Sequence, residues 1–135
     1  MVGPTIQDDL YSLIIRFRFH NYVLIADIEK MYRQFLIREE DRQYQRILWP
    51  KNDQILEYCL NTVTFEFDPS YILAIRCLHQ LVEDEGHDFP FAASILKRDL
   101  HVDNLITGAN TCEEAREIYD QMTKLLSRAQ LNMRQ

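Results

Sequence analysis

Residues 22–27 read Tyr-Val-Leu-Ile-Ala-Asp, and this short apolar run, which ends on a carboxylate, decides how the chain folds. Its aromatic and β-branched residues are typical of a β-strand. Because polar residues do not alternate with apolar ones, the pattern is that of a strand buried on both faces of a sheet. The sequence therefore predicts a buried strand over residues 22–26 with Asp27 at its end.

A helix is predicted before this strand, with His20 and Asn21 separating the two. Asp8 and Asp9 lie where the positive end of a helix dipole favours negative charge. The apolar residues of this helix recur at helical spacing, and they are Ile6, Leu10, Leu13, Ile14 and Phe17. Residues 28–37, after the strand, fit neither the helical nor the strand period and stay ambiguous.

A β-hairpin follows. Residues 45–49 have strand character, residues 50–53 (Pro-Lys-Asn-Asp) suit a turn, and residues 55–63 form the partner strand. From Ser70 a wide apolar stripe then predicts a central helix that ends near Gly86, a residue suited to a left-handed C-cap. The stripe consists of Ile72, Leu73, Ile75, Leu78, Leu81 and Val82.

The last third of the chain predicts a second hairpin and a final helix. Residues 95–101 and 105–107 are the two strands, with Val102-Asp103-Asn104 between them and Asp103 and Asn104 at the turn. Thr111 and Glu114 have capping-box spacing before a long amphipathic helix. The order of elements predicts an α+β fold in which helices pack on one face of an antiparallel sheet.

Composition sets limits on the class of protein. At 135 residues and 47% hydrophobic the chain suits one globular domain, residues 1–135. A formal net charge of −6 disfavours a free-standing nucleic-acid binder. The three cysteines lack C-x-x-C spacing, which favours a reducing, intracellular compartment, and no apolar run is long enough to predict a membrane span.

Carboxylates lie at the ends of two predicted strands. Asp27 follows the first strand, and Asp103 lies at the turn of the second hairpin. Two-metal phosphoryl transfer needs acidic oxygens from neighbouring strands that converge on cations about 4 Å apart. Spacing alone does not separate that role from a structural one, in which Asp27 ends a strand and Asp103 supplies turn chemistry. The alternative stays open at this point.

Six longer strings serve as motifs: residues 3–10 (GPTIQDDL), 26–34 (ADIEKMYRQ), 45–49 (QRILW), 60–65 (LNTVTF), 73–78 (LAIRCL) and 105–109 (LITGA). In these strings the chain resembles the reverse transcriptases of Bel/Pao retrotransposons. The matches share one register and cover nearly the whole chain. The resemblance implies the palm domain of an RNA-directed DNA polymerase, with fingers, thumb and RNase H domain expected to be absent from this sequence.

The resemblance also implies site residues. Asp27 corresponds to the first metal-binding aspartate of the palm, and Tyr32 to the aromatic gate that excludes a ribose 2′-hydroxyl. Phe65 opens the loop that lies along the incoming nucleotide, and Asp103 is the first aspartate of the Tyr-Val-Asp-Asp box. The implied ligands are Mg²⁺, a deoxynucleoside triphosphate and an RNA or DNA template-primer.

Two departures from the family pattern predict a loss of polymerase activity. The catalytic box here reads His101-Val102-Asp103-Asn104, so its second carboxylate is a neutral amide. In the nucleotide loop, Glu66 and Asp68 bring negative charge toward a triphosphate. Mg²⁺, template-primer and nucleotide binding are therefore expected to be weak or lost, and uncovered palm surface is expected to favour self-association.

Three functions follow from these observations. The sequence favours a catalytically defective reverse transcriptase palm from a retrotransposon polyprotein, a pseudoenzyme. The alternatives are a non-catalytic binding module co-opted from a retroelement and an active polymerase that tolerates Asn104.

Overall fold

The computed structural model describes residues 9–65 and 70–134. The helices are α1 (Leu10–Phe17), α2 (Met31–Gln34), α3 (Ser70–Glu85), α4 (Pro90–Arg98) and α5 (Cys112–Arg128), with 3₁₀ turns at Glu39–Tyr44 and Gly86–Asp88. The strands are β1 (Tyr22–Ile28), β2 (Arg46–Lys51), β3 (Gln54–Cys59), β4 (Leu100–His101), β5 (Asn104–Ala109) and β6 (Met133–Arg134).

The main sheet has four strands in the order β4-β5-β1-β6, and every neighbouring pair is antiparallel. β1 pairs with β5 from Tyr22 to Asp27, whereas β6 pairs with β1 only at Asp27 and Ile28. β2 and β3 form a separate hairpin. The predicted α+β class with antiparallel pairing is therefore confirmed.

β1 is buried on one face rather than on both, which corrects the expectation from its sequence. Ala26 and Ile28 belong to the main core, but Val23 is 46% exposed and Ile25 is 58% exposed. The core forms where α3, α4 and α5 pack together and α5 covers β1 and β5. The apolar run reflects an open second face, not a second layer of packing.

The second hairpin is shorter than predicted. Residues 90–98 form α4, so the strand expected over residues 95–101 is reduced to Leu100 and His101. Pro90 in the first helical turn pre-sets the backbone for a helix, and Ile95 and Leu96 turn toward the core. The turn consists of Val102 and Asp103, and Asn104 is the first residue of β5 rather than a turn residue.

The first hairpin is confirmed with changed limits. Asn52 and Asp53 both adopt positive φ angles, 51° and 59°, as a two-residue hairpin turn requires. Pro50 belongs to β2, and β3 ends at Cys59 instead of residue 63. All residues of this hairpin are exposed except Leu56, which is half-buried.

Helices α1, α3 and α5 are confirmed, and the predicted cap of α3 is wrong. Ile6 and Asp8 of the predicted first helix lie outside the described residues. Gly86 opens a 3₁₀ turn without a positive φ; a Cβ there would come within 3.0 Å of the Ala93 Cβ, so α3 and α4 approach closely at this position. Thr111 Oγ1 accepts the Glu114 N–H at 3.1 Å, as a capping box requires.

Candidate functional site

Asp27 and Asp103 lie at the same end of the sheet. Asp27 is opposite Asn104 in the β1–β5 ladder, and Asp103 is in the adjacent turn. The Ile28 N–H donates to the Asp103 carbonyl at 2.9 Å, which ties the end of β1 to that turn. β1 and the β4–β5 hairpin thus present the two carboxylate-bearing residues on neighbouring segments.

Asn104 interacts directly with Asp103. Its Nδ2 donates a hydrogen bond to Asp103 Oδ1 at 2.9 Å. Where the resemblance implies a second carboxylate, the chain therefore has an amide that occupies one oxygen of the first. An ionised carboxylate binds a metal ion through its lone pairs, and this hydrogen bond competes for them.

A cavity of about 700 Å³ opens beside this turn. Asp103 contributes to its wall together with Tyr32 and Phe65, whose rings meet edge to face with centroids 5.3 Å apart. The remaining lining residues are Lys30, Met31, Arg33, Leu60, Thr62, Val63 and Thr64. The structure thus joins three of the sequence-predicted site residues in one cavity, and Asp27 is not among those that line it.

Tyr32 reaches the cavity because the chain turns sharply after β1. Lys30 adopts a left-handed conformation with φ 50°, and α2 begins at the next residue. Tyr32 is only 7% exposed. Burial, and to a lesser extent the negative charge of Asp103, raise the pKa of its phenol, so Tyr32 is neutral at physiological pH.

The opposite wall is held by backbone pairing that the sequence patterns did not predict. The Val63 N–H donates to the Phe35 carbonyl at 2.9 Å, and the Ile37 N–H donates to the Asn61 carbonyl at 2.9 Å. These bonds fix the segment after α2 against the segment before Phe65. Residues 28–37 were ambiguous because this pairing is long-range and leaves no local period.

Both signs of charge occur among the described residues that line the cavity. Lys30 and Arg33 are basic, and Asp103 is acidic. Lys30 Nζ is also 3.7 Å from Glu29 Oε1, so part of its charge is offset outside the cavity. The motif over residues 26–34 contains both cations, but the strand and helix patterns gave no reason to place them beside Phe65.

Among residues 9–65 and 70–134, no group of three or more His, Cys, Asp and Glu side chains is placed to hold a metal ion. His101 has a buried Nδ1 with no hydrogen-bond partner in the part of the chain that is described. Glu66 and Asp68, the acidic residues of the predicted nucleotide loop, lie outside the described residues.

The comparisons with known proteins give no family. No family model matches the chain, and no curated protein matches it. Within the described residues, no helix has both the length and the apolar character that crossing a membrane requires.

Proposed function

We propose that this chain is a palm unit of the Bel/Pao reverse transcriptase type in which nucleotidyl transfer has been lost. The observation that supports the proposal best is the cavity that joins Tyr32 and Phe65 to Asp103, beside the strand end that carries Asp27. These are the residues that the motif resemblance implies for a nucleotide site. They come from three separate parts of the sequence, so their proximity is not a consequence of local spacing.

The loss of activity is argued from Asn104. Phosphoryl transfer by two metals needs several carboxylate oxygens free to bind the ions. Here one Asp103 oxygen accepts a hydrogen bond from the Asn104 amide. The Glu29 carboxylate, next to the end of β1, is paired with Lys30 and Arg134. These carboxylates do not fit two Mg²⁺ ions, so we propose no catalytic step that uses bound metal.

Ligand binding without chemistry is the second function that the cavity favours. Lys30 and Arg33 suit the phosphates of a nucleotide, and the exposed Phe65 ring offers a surface for stacking a base. A co-opted binding module would use this cavity for a nucleotide or a nucleic-acid end. The inactive palm unit and the co-opted binding module would share this cavity. They differ in whether a host uses the cavity to bind a ligand.

Divalent metal binding tests the site. We expect the unmodified chain to bind Mg²⁺ only weakly, with no stoichiometric heat at micromolar concentrations in titration calorimetry. Asn104→Asp removes the competing amide and adds a carboxylate beside Asp103. A unit charge about 4 Å from another is worth up to about 4 kcal/mol at an effective dielectric of about 20, less when exposed, so affinity should rise at least about tenfold.

Two controls make the titration specific. Asn52→Asp makes the same chemical change at the exposed turn of the β2–β3 hairpin and should leave Mg²⁺ affinity unchanged. Asp27→Ala in the Asn104→Asp background should cancel the gain. Tight binding by the unmodified chain that Asp27→Ala removes would contradict the loss of the site, and an Asn104→Asp variant no better than Asn52→Asp would contradict its location.

A further inference from the structure

The side of β1 that faces away from β5 has unpaired backbone groups. The Ile28 N–H points to β5, and hydrogen-bonding direction alternates along an antiparallel strand, so the N–H and C=O groups of Val23, Ile25 and Asp27 point the other way. β6 pairs with Asp27 there, but no described strand reaches Val23 or Ile25.

This edge lacks the features that normally prevent strand pairing. Exposed edges usually carry charges, proline or a bulge. Residues 22–26 instead read Tyr-Val-Leu-Ile-Ala, and the Val23 and Ile25 side chains are both exposed. The edge is therefore chemically suited to accept another strand.

We propose that the edge pairs with the same edge of a second copy of this chain, across a two-fold axis at Leu24. The inference does not rest on the proposed function. In this antiparallel register Val23 is opposite the copy's Ile25, and Ile25 is opposite the copy's Val23. All four residues direct their backbone groups outward, so the register satisfies both edges with four hydrogen bonds.

The side-chain pairs in this register are compatible. Val23 and the copy's Ile25 are both β-branched, and such cross-strand pairs stabilise sheets. Tyr22 lies opposite the small Ala26, which leaves room for the ring. The pairing ends at Ala26, where β6 already occupies the edge of β1.

Helix α5 gives an independent reason to choose a second copy as the partner. α5 packs against both β1 and β5. With strands about 4.8 Å apart, a helix centred over those two strands would lie about 10 Å from its two-fold copy, which is a normal distance for packed helices. The two copies of α5 would then run antiparallel beside each other.

The groove between α5 and β1 has a self-complementary pair of charges. It is lined by Leu24, Tyr119, Arg116 and Asp120, together with Cys112 and Ala115. Tyr119 is 40% exposed, and Arg116 and Asp120 form no ion pair with another described residue. Across the axis, Arg116 of each copy faces Asp120 of the other, and Tyr119 lies between these two contacts.

Sedimentation velocity of the full chain tests the proposal. The unmodified protein should show a reversible, concentration-dependent species of twice the 16.2 kDa monomer mass. Ile25→Pro removes an outward N–H without touching the bonds to β5. We expect this variant to associate more weakly, with a dimer Kd at least about tenfold higher. Circular dichroism checks that this variant is folded.

Charge reversal tests the geometry without touching the strand. Arg116→Asp and Asp120→Arg alone each place like charges across the axis and should raise the dimer Kd about tenfold. The double variant restores opposite charges and should return the Kd to within about threefold of the unmodified value. Arg76→Asp, the same change at an exposed position of α3, is the matched control and should have no effect.

Three results would overturn the proposal. A monomer at all concentrations excludes it, and so does a dimer whose Kd is the same in folded Ile25→Pro. A double variant no better than either single reversal excludes the antiparallel placement of α5.

Discussion

Asp99→Ala is expected to lower the free energy of unfolding by about 3 kcal/mol, because it breaks a buried ionic network. The Asp99 side chain is only 4% exposed. It accepts hydrogen bonds from Arg98 Nε at 2.8 Å and from Thr107 Oγ1 at 2.7 Å, and Arg16 Nη2 is 3.4 Å away. The alanine would leave the buried Thr107 hydroxyl without its acceptor. It would also remove the ion pair with Arg16, one of the contacts between α1 and the end of α4.

Urea unfolding followed by circular dichroism measures this effect. Asp41→Ala, which removes an exposed carboxylate, is the matched control and should change stability by less than about 0.5 kcal/mol. A loss below about 1 kcal/mol for Asp99→Ala would show that the network contributes little.

The same network predicts a dependence on pH. Burial alone would raise the pKa of Asp99, but hydrogen bonds from Arg98 and Thr107 and the charges of Arg98 and Arg16 outweigh it and hold the pKa below its ordinary value. A carboxyl group with a lowered folded-state pKa contributes stability above its unfolded pKa of about 3.9 and loses it as pH falls through the folded value. The difference in the free energy of unfolding between the unmodified chain and Asp99→Asn should therefore be largest at pH 7 and decrease below about pH 4.

Gly108→Ala is expected to lower the free energy of unfolding by about 2–3 kcal/mol, because there is no room for a side chain. A Cβ at this position would lie 2.5 Å from the Tyr22 carbonyl oxygen and 2.5 Å from the His20 Cβ. The steric clash is relieved only if β1 or the segment after α1 moves. Such a backbone movement destabilises the fold because it disturbs paired strands.

Gly86→Ala is the graded control for this prediction. Its Cβ would meet side chains, Ala93 Cβ at 3.0 Å and Val82 Cγ1 at 3.1 Å, rather than backbone. We expect a smaller loss, about 1 kcal/mol, in the same urea experiment. Equal losses for the two variants would show that contact with the backbone is not what makes Gly108 necessary.

The sequence was most informative where a local period and a terminal signal agreed. The apolar face of α5 and its Thr111 cap predicted that helix to within a residue at its start, and the run over residues 22–26 predicted β1. Residues 95–101 alone predict a strand where α4 forms, because Ile95 and Leu96, followed by a polar segment and Leu100, fit a strand almost as well as a helix. The helix signal lies upstream, at Pro90.

The sequence predicts the candidate site only in part. Motif resemblance singled out Tyr32, Phe65 and Asp103, but no local pattern shows that they share a cavity. Their proximity depends on the left-handed Lys30 and on the pairing of the segments around Phe35 and Val63. The hydrogen bond from Asn104 to Asp103 is likewise a property of the folded turn.

Primer extension on an RNA template measures nucleotidyl transfer by the chain itself. The unmodified chain is compared with His101→Tyr/Asn104→Asp, which rebuilds the Tyr-Val-Asp-Asp box that the resemblance implies. The same double variant carrying Asp27→Ala gives the background. Rebuilding the box restores a carboxylate but leaves Glu66 and Asp68, which by the resemblance oppose a triphosphate through like charge, and charge stabilisation is central to phosphoryl transfer. We expect neither protein to extend the primer above the Asp27→Ala background. Asp27-dependent extension by the unmodified chain would contradict the claim that nucleotidyl transfer has been lost. Extension by the double variant alone would show that the changes at residues 101 and 104 are the only defect of the chain.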